Sequence, residues 1–473
     1  MNHRSGIRPR ERGAVVGMSL VGMSLSLALL TGCGGGGGHG TAGGGKATAP
    51  APAADDAVKG PAYRGPALPG FAARPAWSLR AKSTSAPGAL DLGSTLLLAK
   101  DAQGDYASTP TGSVLSDSEE AAPLTLEFRD VKTGAVRKAL KVRARTVEAV
   151  TWRGGAPAVA VTSSTTSKSD GLTEAKTTTT ATLYGADGGE LAKVPSYERG
   201  ALLDGYRVEK TGDTLRLTPV GGGPSRTVTC TGTAASCTYD AETGTADASV
   251  AHAPLISGGY YAGFLNASDF QTEPEQITLS ELATGKQVWS TAGAKIPEGV
   301  ALDDKGHHPE SEEKRILRIA DGKVLVGWKA GLSFSSGSWI HAWYDLKSGA
   351  LLTSYKGAEE VLFSPSGDLA ARDVVKFEDF PGTAVWQTAD GKRLWEQQGG
   401  EHALDPVRFT ADGSVLYGVT DDKSATDTGI AVDTRTKKVL AKNLPEENIP
   451  SVDTATGYGY VGTEAALFVF APA

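Results

Sequence analysis

The chain has 473 residues and a formal net charge of −7, with 54 Asp and Glu against 47 Lys and Arg. That length holds one large domain or two ordinary ones. An acidic surface repels phosphate backbones, which argues against nucleic acid as a partner.

The first element in chain order is an apolar run, Ala14 to Leu30, preceded by Arg4, Arg8, Arg10 and Arg12. A basic start, an apolar middle and small residues after it make a secretory signal. The run is too short for a membrane span and ends in a glycine block that holds no helix. Its closing residues, Leu30-Thr31-Gly32-Cys33, resemble a bacterial lipobox, with Leu at −3 and small residues before the cysteine. The resemblance implies cleavage after residue 32 and lipid on Cys33, which would anchor the mature chain at a membrane surface outside the cytoplasm. Removal of the signal takes the net charge to about −10.

Residues 33–75 follow as a Gly-, Ala- and Pro-rich segment with almost nothing large and apolar to bury. Such a composition predicts a disordered tether, roughly 35–40 Å from end to end. Two further cysteines, Cys230 and Cys237, lie six residues apart in TCTGTAASCTYD. In an exported chain that pair is expected to form a disulfide, and no second ligand pair at zinc spacing accompanies it.

From residue 76 to 473 the pattern changes to short β-branched and aromatic runs between Gly-, Asp-, Ser- and Thr-rich turns, an all-β signature. One unit recurs: FRDVKTGAVRKAL from Phe128, LYGADGGELAKV from Leu183, LSELATGKQVWS from Leu279, WYDLKSGALLTSY from Trp343, VWQTADGKRLWE from Val385 and IAVDTRTKKVLA from Ile430. Each reads as a hairpin whose turn residue takes a positive φ. The turn positions are Gly134, Gly189, Gly285, Gly349 and Gly391, with Lys437 in the last copy. The gap between Gly189 and Gly285 is about twice the others, so a divergent unit belongs between them, with RLTPVGGGPSRTVT from Arg216 as its hairpin. A second element, VLFSPSGDLAA from Val361 and VRFTADGSVLYG from Val407, repeats in step.

Repeats of this size built from short strands predict a β-propeller of four-stranded blades. The chain has room for only three short strands after the last hairpin, near Ser451, Tyr458 and Leu467, while PAWSLRA at the start looks like an isolated outer strand. The last blade is therefore expected to be completed by the N-terminal strand. That counts eight blades, with seven as the alternative if the unit near Arg216 is an insertion. Trp77, Trp289 and Trp395 are the expected blade-docking residues, the last two each four residues after a turn glycine.

ATGKQVW (Ala283 to Trp289) and ADGKRLW (Ala389 to Trp395) resemble the turn and tryptophan of quinoprotein-like, PQQ-binding-like propellers, and FSPSG and FTADG resemble WD40-type repeats. The enzymes of the quinoprotein-like family hold a quinone and calcium at a charged central site, many with a disulfide between adjacent cysteines. This chain has no adjacent cysteines and no recognisable set of calcium-liganding carboxylates. The resemblance is closer to the non-enzymatic members, which include lipid-anchored scaffolds of the cell envelope.

His307 and His308 lie in a charged loop, DDKGHHPESEEKR, where adjacent side chains of an extended segment point apart, so no metal site is expected there. His252, His341 and His402 are isolated, and no Gly-x-Ser-x-Gly context marks a nucleophile. Asp187, Asp390 and Asp412 are read as turn formers. The Ser/Thr-rich stretch Val161 to Tyr184 is read as a protruding hairpin turning at Ser169-Asp170-Gly171, and Asn266 begins a formal sequon to which no weight is given. No catalytic, cofactor or metal residue is assigned. The leading expectation is a membrane-anchored lipoprotein whose propeller binds or scaffolds a protein or envelope partner. The alternatives are a quinoprotein-like oxidoreductase or other enzyme with a site in the central channel, or a sensor of small ligands or carbohydrate.

Overall fold

The computed structural model describes residues 60–108, 121–167, 176–197, 202–211, 214–229, 256–257, 259–265, 276–302, 314–330, 339–357, 361–374, 382–420, 428–463 and 465–473. Its strands form eight antiparallel sheets of four strands each, an eight-bladed propeller. In chain order blades 1 to 7 span residues 90–144, 146–195, 202–229, 256–290, 314–357, 362–396 and 404–444. Blade 8 takes three strands from residues 451–470 and its outer strand, Trp77–Arg80, from the start of the domain.

That composite blade is the one expected from the two chain ends. Trp77 pairs with Val469 and Arg80 with Ala466, so the outer strand runs antiparallel to the last strand of the chain. The weak unit near Arg216 is a genuine blade, since Leu215 pairs with Val228 and Leu217 with Arg226 across the predicted hairpin. Eight blades, rather than seven, is therefore the count.

Strand position within a blade explains strand composition. In blade 1 the second strand, Thr95–Lys100, reads TLLLAK and is buried on both faces, because neighbouring blades cover both. Each of its leucines, removed wholly from water, contributes about 1.5–3 kcal/mol. The outer strand Val136–Ala144 instead alternates half-buried and exposed residues along VRKALKVRA, since successive side chains point to opposite faces and Leu140 and Val142 lie on the face that packs against the core. The core is distributed between blades. Trp77, Leu96, Leu98, Val131 and Val469 fill the junction of blades 8 and 1, and Trp289, Val324, Trp328 and Tyr344 that of blades 4 and 5.

The repeated hairpin turn joins the third and outer strands of blades 1, 4, 5, 6 and 7. The backbone N–H of Gly134, Gly285, Gly349, Gly391 and Lys437 each donates to the carbonyl four residues earlier, at 2.8–3.0 Å. Its first residue anchors it: the Oδ1 atoms of Asp130, Asp345 and Asp433 each accept backbone N–H groups two and three residues ahead. In blade 2 the turn is one residue tighter. Gly188, not the expected Gly189, takes the positive φ of 72° and donates to the Gly185 carbonyl at 2.8 Å.

Gly391 needs its missing side chain for two reasons. Its φ is 72°, and a Cβ there would collide with Tyr355 on the outer strand of blade 5. Gly349 has a φ of 71° but nothing within 4 Å of a built Cβ. Gly349→Ala is thus expected to cost about 1–2 kcal/mol from the backbone alone, and Gly391→Ala about 1–3 kcal/mol more from overpacking. Urea melts of the two variants measure the difference.

The expected tether to Pro75 is shorter at its C-terminal end. Residues 60–75 lie against blades 7 and 8, with Leu68 and Phe71 buried. Phe71 bridges Pro472, the Ala473 N–H donates to Gly70 at 3.1 Å, and the Tyr417 hydroxyl donates to Pro69 at 2.6 Å. Tyr63 meets Phe468 and Phe470 edge-on at 5.1 and 5.0 Å. Three large side chains among prolines and glycines suffice to dock the segment as a strap over the C-terminus.

Candidate binding surface between blades 5 and 6

Among the described residues, three blade junctions are each held through a fixed carbonyl. The residue after the first turn position accepts an indole N–H from the preceding blade: Trp77 donates to Val131 at 2.8 Å, Trp343 to Thr388 at 2.8 Å, and Trp395 to Thr434 at 2.9 Å. Thr388 and Thr434 then bind the carbonyls of Gly367 and Gly413, tying the two turns of one blade together. Trp289 stands against the Tyr344 ring, 5.4 Å between centroids, and its buried indole N–H has no partner among the described residues. Trp343, on the third strand of its blade, was not singled out by the turn pattern. Its signal is the WYD that opens its repeat.

Beside Trp343 the junction of blades 5 and 6 opens into a cavity of about 190 Å³ lined by Arg318, Asp321, Lys323, Leu352 and Asp368. Arg318 and Lys323 come from the first two strands of blade 5, Leu352 from its outer strand, and Asp368 from the first turn of blade 6. The Arg318 guanidinium donates to the Ser366 carbonyl at 3.0 Å and lies 5.6 Å from the Phe363 ring centre. A side chain at Gly367 would collide with it, so that glycine admits the guanidinium across the turn. Burial presses the Arg318 pKa down, opposed by the fields of Asp321 and Asp368. Arg318 forms no ion pair among the described residues, and its remaining N–H donors are free to meet an acceptor in the cavity.

Leu352 is 48% exposed at the cavity edge, beside Trp343, which is 9% exposed. Chemically the surface is a small apolar floor under a rim of both charges. Its volume falls below the roughly 300 Å³ at which small-molecule pockets begin, and suits a single inserted side chain.

The other predicted residues fall as follows. Cys33, Cys230, Cys237, His252, Asn266, His307 and His308 lie outside the described residues. His341 is fully buried on the third strand of blade 5, and His402 is exposed between blades 6 and 7. Asp187, Asp390 and Asp412 accept the backbone N–H two residues ahead at 2.8, 2.9 and 3.0 Å, as turn formers do. Strands Ala156–Thr166 and Thr177–Gly185 pair along their length, while the predicted turn at Ser169 to Gly171 lies outside the described residues. No group of three or more His, Cys, Asp or Glu side chains is placed to hold a metal among the described residues.

No protein-family model matches the chain, and no curated protein matches it. Among solved structures it is similar to the β-propeller domain of Cps50 (Swd1) from Myceliophteria thermophila, at 9% identity over 84% of this chain and 100% of that one, with a TM-score of 0.35. It is also similar to the C-terminal WD40 domain of Sif2, at 9% identity over 85% of this chain and 98% of that one, with a TM-score of 0.37. Likeness at that level adds nothing to the topology already described.

Proposed function

We propose that the chain is an exported lipoprotein, held to the membrane by lipid on Cys33, whose propeller binds a protein partner. The observation that carries the binding role is the cavity between blades 5 and 6, where Leu352 is 48% exposed beside an Arg318 guanidinium with a single hydrogen bond among the described residues. An exposed aliphatic side chain next to unfilled donors suits an inserted apolar side chain flanked by an acceptor. The anchoring role rests on Leu30-Thr31-Gly32-Cys33 and on the Gly-, Ala- and Pro-rich composition between Cys33 and Gly60, which suits a tether.

Two variants of the full-length chain test the two halves separately in the producing cell. Cys33→Ser is expected to leave the membrane fraction or accumulate as precursor, and a mature-sized variant still on the membrane would refute anchoring. A photo-crosslinker at Leu352 is expected to give one discrete protein adduct that disappears in Arg318→Ala, whose melting temperature stays near that of the parent. Absence of an adduct at that position, or an adduct indifferent to Arg318, would refute the binding site.

A further inference from the structure

The junction that closes the ring carries a charge cluster unlike that of the ordinary blade contacts. Asp91 ends the inner strand of blade 1, Asp453 begins the first turn of blade 8, and Arg408 lies on the inner strand of blade 7. The two turns touch: a Cβ built on Gly93 would lie 3.8 Å from that of Ala455. Asp91 accepts the Gly93 N–H at 2.8 Å, and fully buried Asp453 accepts the Ala455 N–H at 2.9 Å and the Thr456 hydroxyl. Arg408 reaches across to the Pro450 carbonyl of blade 8 at 3.2 Å. None of the three charged groups is in an ion pair among the described residues.

Tyr460, paired with Ser451 in blade 8, faces the same cluster. Lys132, in the outer turn of blade 1, acts on Asp453 from a distance. Two carboxylates are therefore held by touching turns of neighbouring blades, Asp453 buried and Asp91 half-buried, with the Arg408 guanidinium acting on Asp91 without contacting it. Ionising both would place like charges across the interface, whereas a proton on one removes that repulsion.

We propose that Asp91 and Asp453 form a proton-dependent clasp between blades 8 and 1, closed when Asp91 is protonated and loosened when it ionises. This goes beyond the binding role and does not depend on it. Burial, then the Asp453 charge, pushes the Asp91 pKa up to about 7, against the Gly93 N–H and the Arg408 field. Burial also raises the pKa of Asp453 and of Tyr460 and lowers that of Arg408, opposing the charged form of each.

The direction follows from linkage. With a folded pKa above the unfolded value of about 3.9, Asp91 contributes stability that is full below pH 4 and is lost as pH rises through about 7. The turn carboxylates Asp345 and Asp433, held low first by the hydroxyls of Ser348 and Thr436, have the opposite sign. They act only below pH 4, outside this window.

The test uses the full mature chain. Melting temperature is expected to fall by about 3–6 °C between pH 5 and pH 8, with Asp91→Asn flattening that slope. The Trp77 indole proton, bonded to Val131 across the same junction, should exchange about tenfold faster in the parent than in Asp91→Asn at pH 8. Carboxyl-carbon NMR should place the Asp91 titration near neutrality, and Asp453→Asn should move it to lower pH. An Asp91 midpoint below pH 5, or a pH slope unchanged in Asp91→Asn, would overturn the clasp. Should Asp91→Asn not fold, the parent titration alone decides.

Discussion

A chain lacking residues 1–80 is expected to lose its cooperative thermal transition, whereas one lacking only residues 34–59 should melt like the parent. The first deletion removes the strap and the outer strand of blade 8, leaving the strand Ala466–Phe470, buried along its whole length, as an open apolar edge. Trp77 alone carries much of the effect. It is 5% exposed, its indole donates to Val131 at 2.8 Å, and its ring covers Gly134. Trp77→Ala should cost about 3–5 kcal/mol, read by calorimetry or urea titration. Equal effects of the two deletions would contradict the composite blade.

The second large effect is expected at Glu127, in the middle of blade 1. Its carboxylate accepts from the Tyr106 hydroxyl at 2.9 Å and from Arg129 Nη2 at 2.7 Å, and pairs with Lys100 at 2.6 Å. The Arg129 side chain is 5% exposed and also donates to the Gly134 carbonyl at 2.7 Å, linking the network to the turn under Trp77. Glu127→Ala strands a buried guanidinium and should cost about 3–5 kcal/mol, while Glu127→Leu with Arg129→Leu should recover most of it. Burial raises the Glu127 pKa, but Arg129 and Lys100 outweigh it and hold the carboxyl below its ordinary value. The stability this group contributes is present above the unfolded pKa of about 4.3 and fades as pH falls through the lower folded value, a loss on the acid side.

The parts of the fold that were legible in the sequence share one property: their information is local. A turn with a left-handed residue between two short strands is written in a dozen consecutive residues, and six such copies give the blades their period. The closing strand was legible because a tryptophan pattern marks outer strands elsewhere in the chain. Where composition misled, it did so by averaging. Residues 60–75 read as tether because Pro, Gly and Ala dominate them, yet Tyr63, Leu68 and Phe71 find a docking surface made by residues 415–470. The tight turn of blade 2 misplaced a glycine by one, since GADGG offers two and only hydrogen-bond geometry selects Gly188.

The candidate sites were not legible for a different reason. Arg318 and the Ser366 carbonyl it binds belong to different blades, and Asp91 and Asp453 stand near opposite ends of the chain. Each residue looks ordinary in its own segment. Only the ring brings them together.

The composite blade also dictates an order of events during synthesis. Trp77 belongs to the first of the described strands, but its partner Val469 lies at the far end of the propeller sequence, so that strand has no mate until the rest of the propeller has been made. Seven blades can assemble one upon another from neighbouring segments, each closing short loops. The final pairing spans nearly the whole domain and is the slow, high-separation step. Until it occurs the chain carries two unsatisfied strand edges, and it is in that interval that misassembly or capture by another copy is most readily reached.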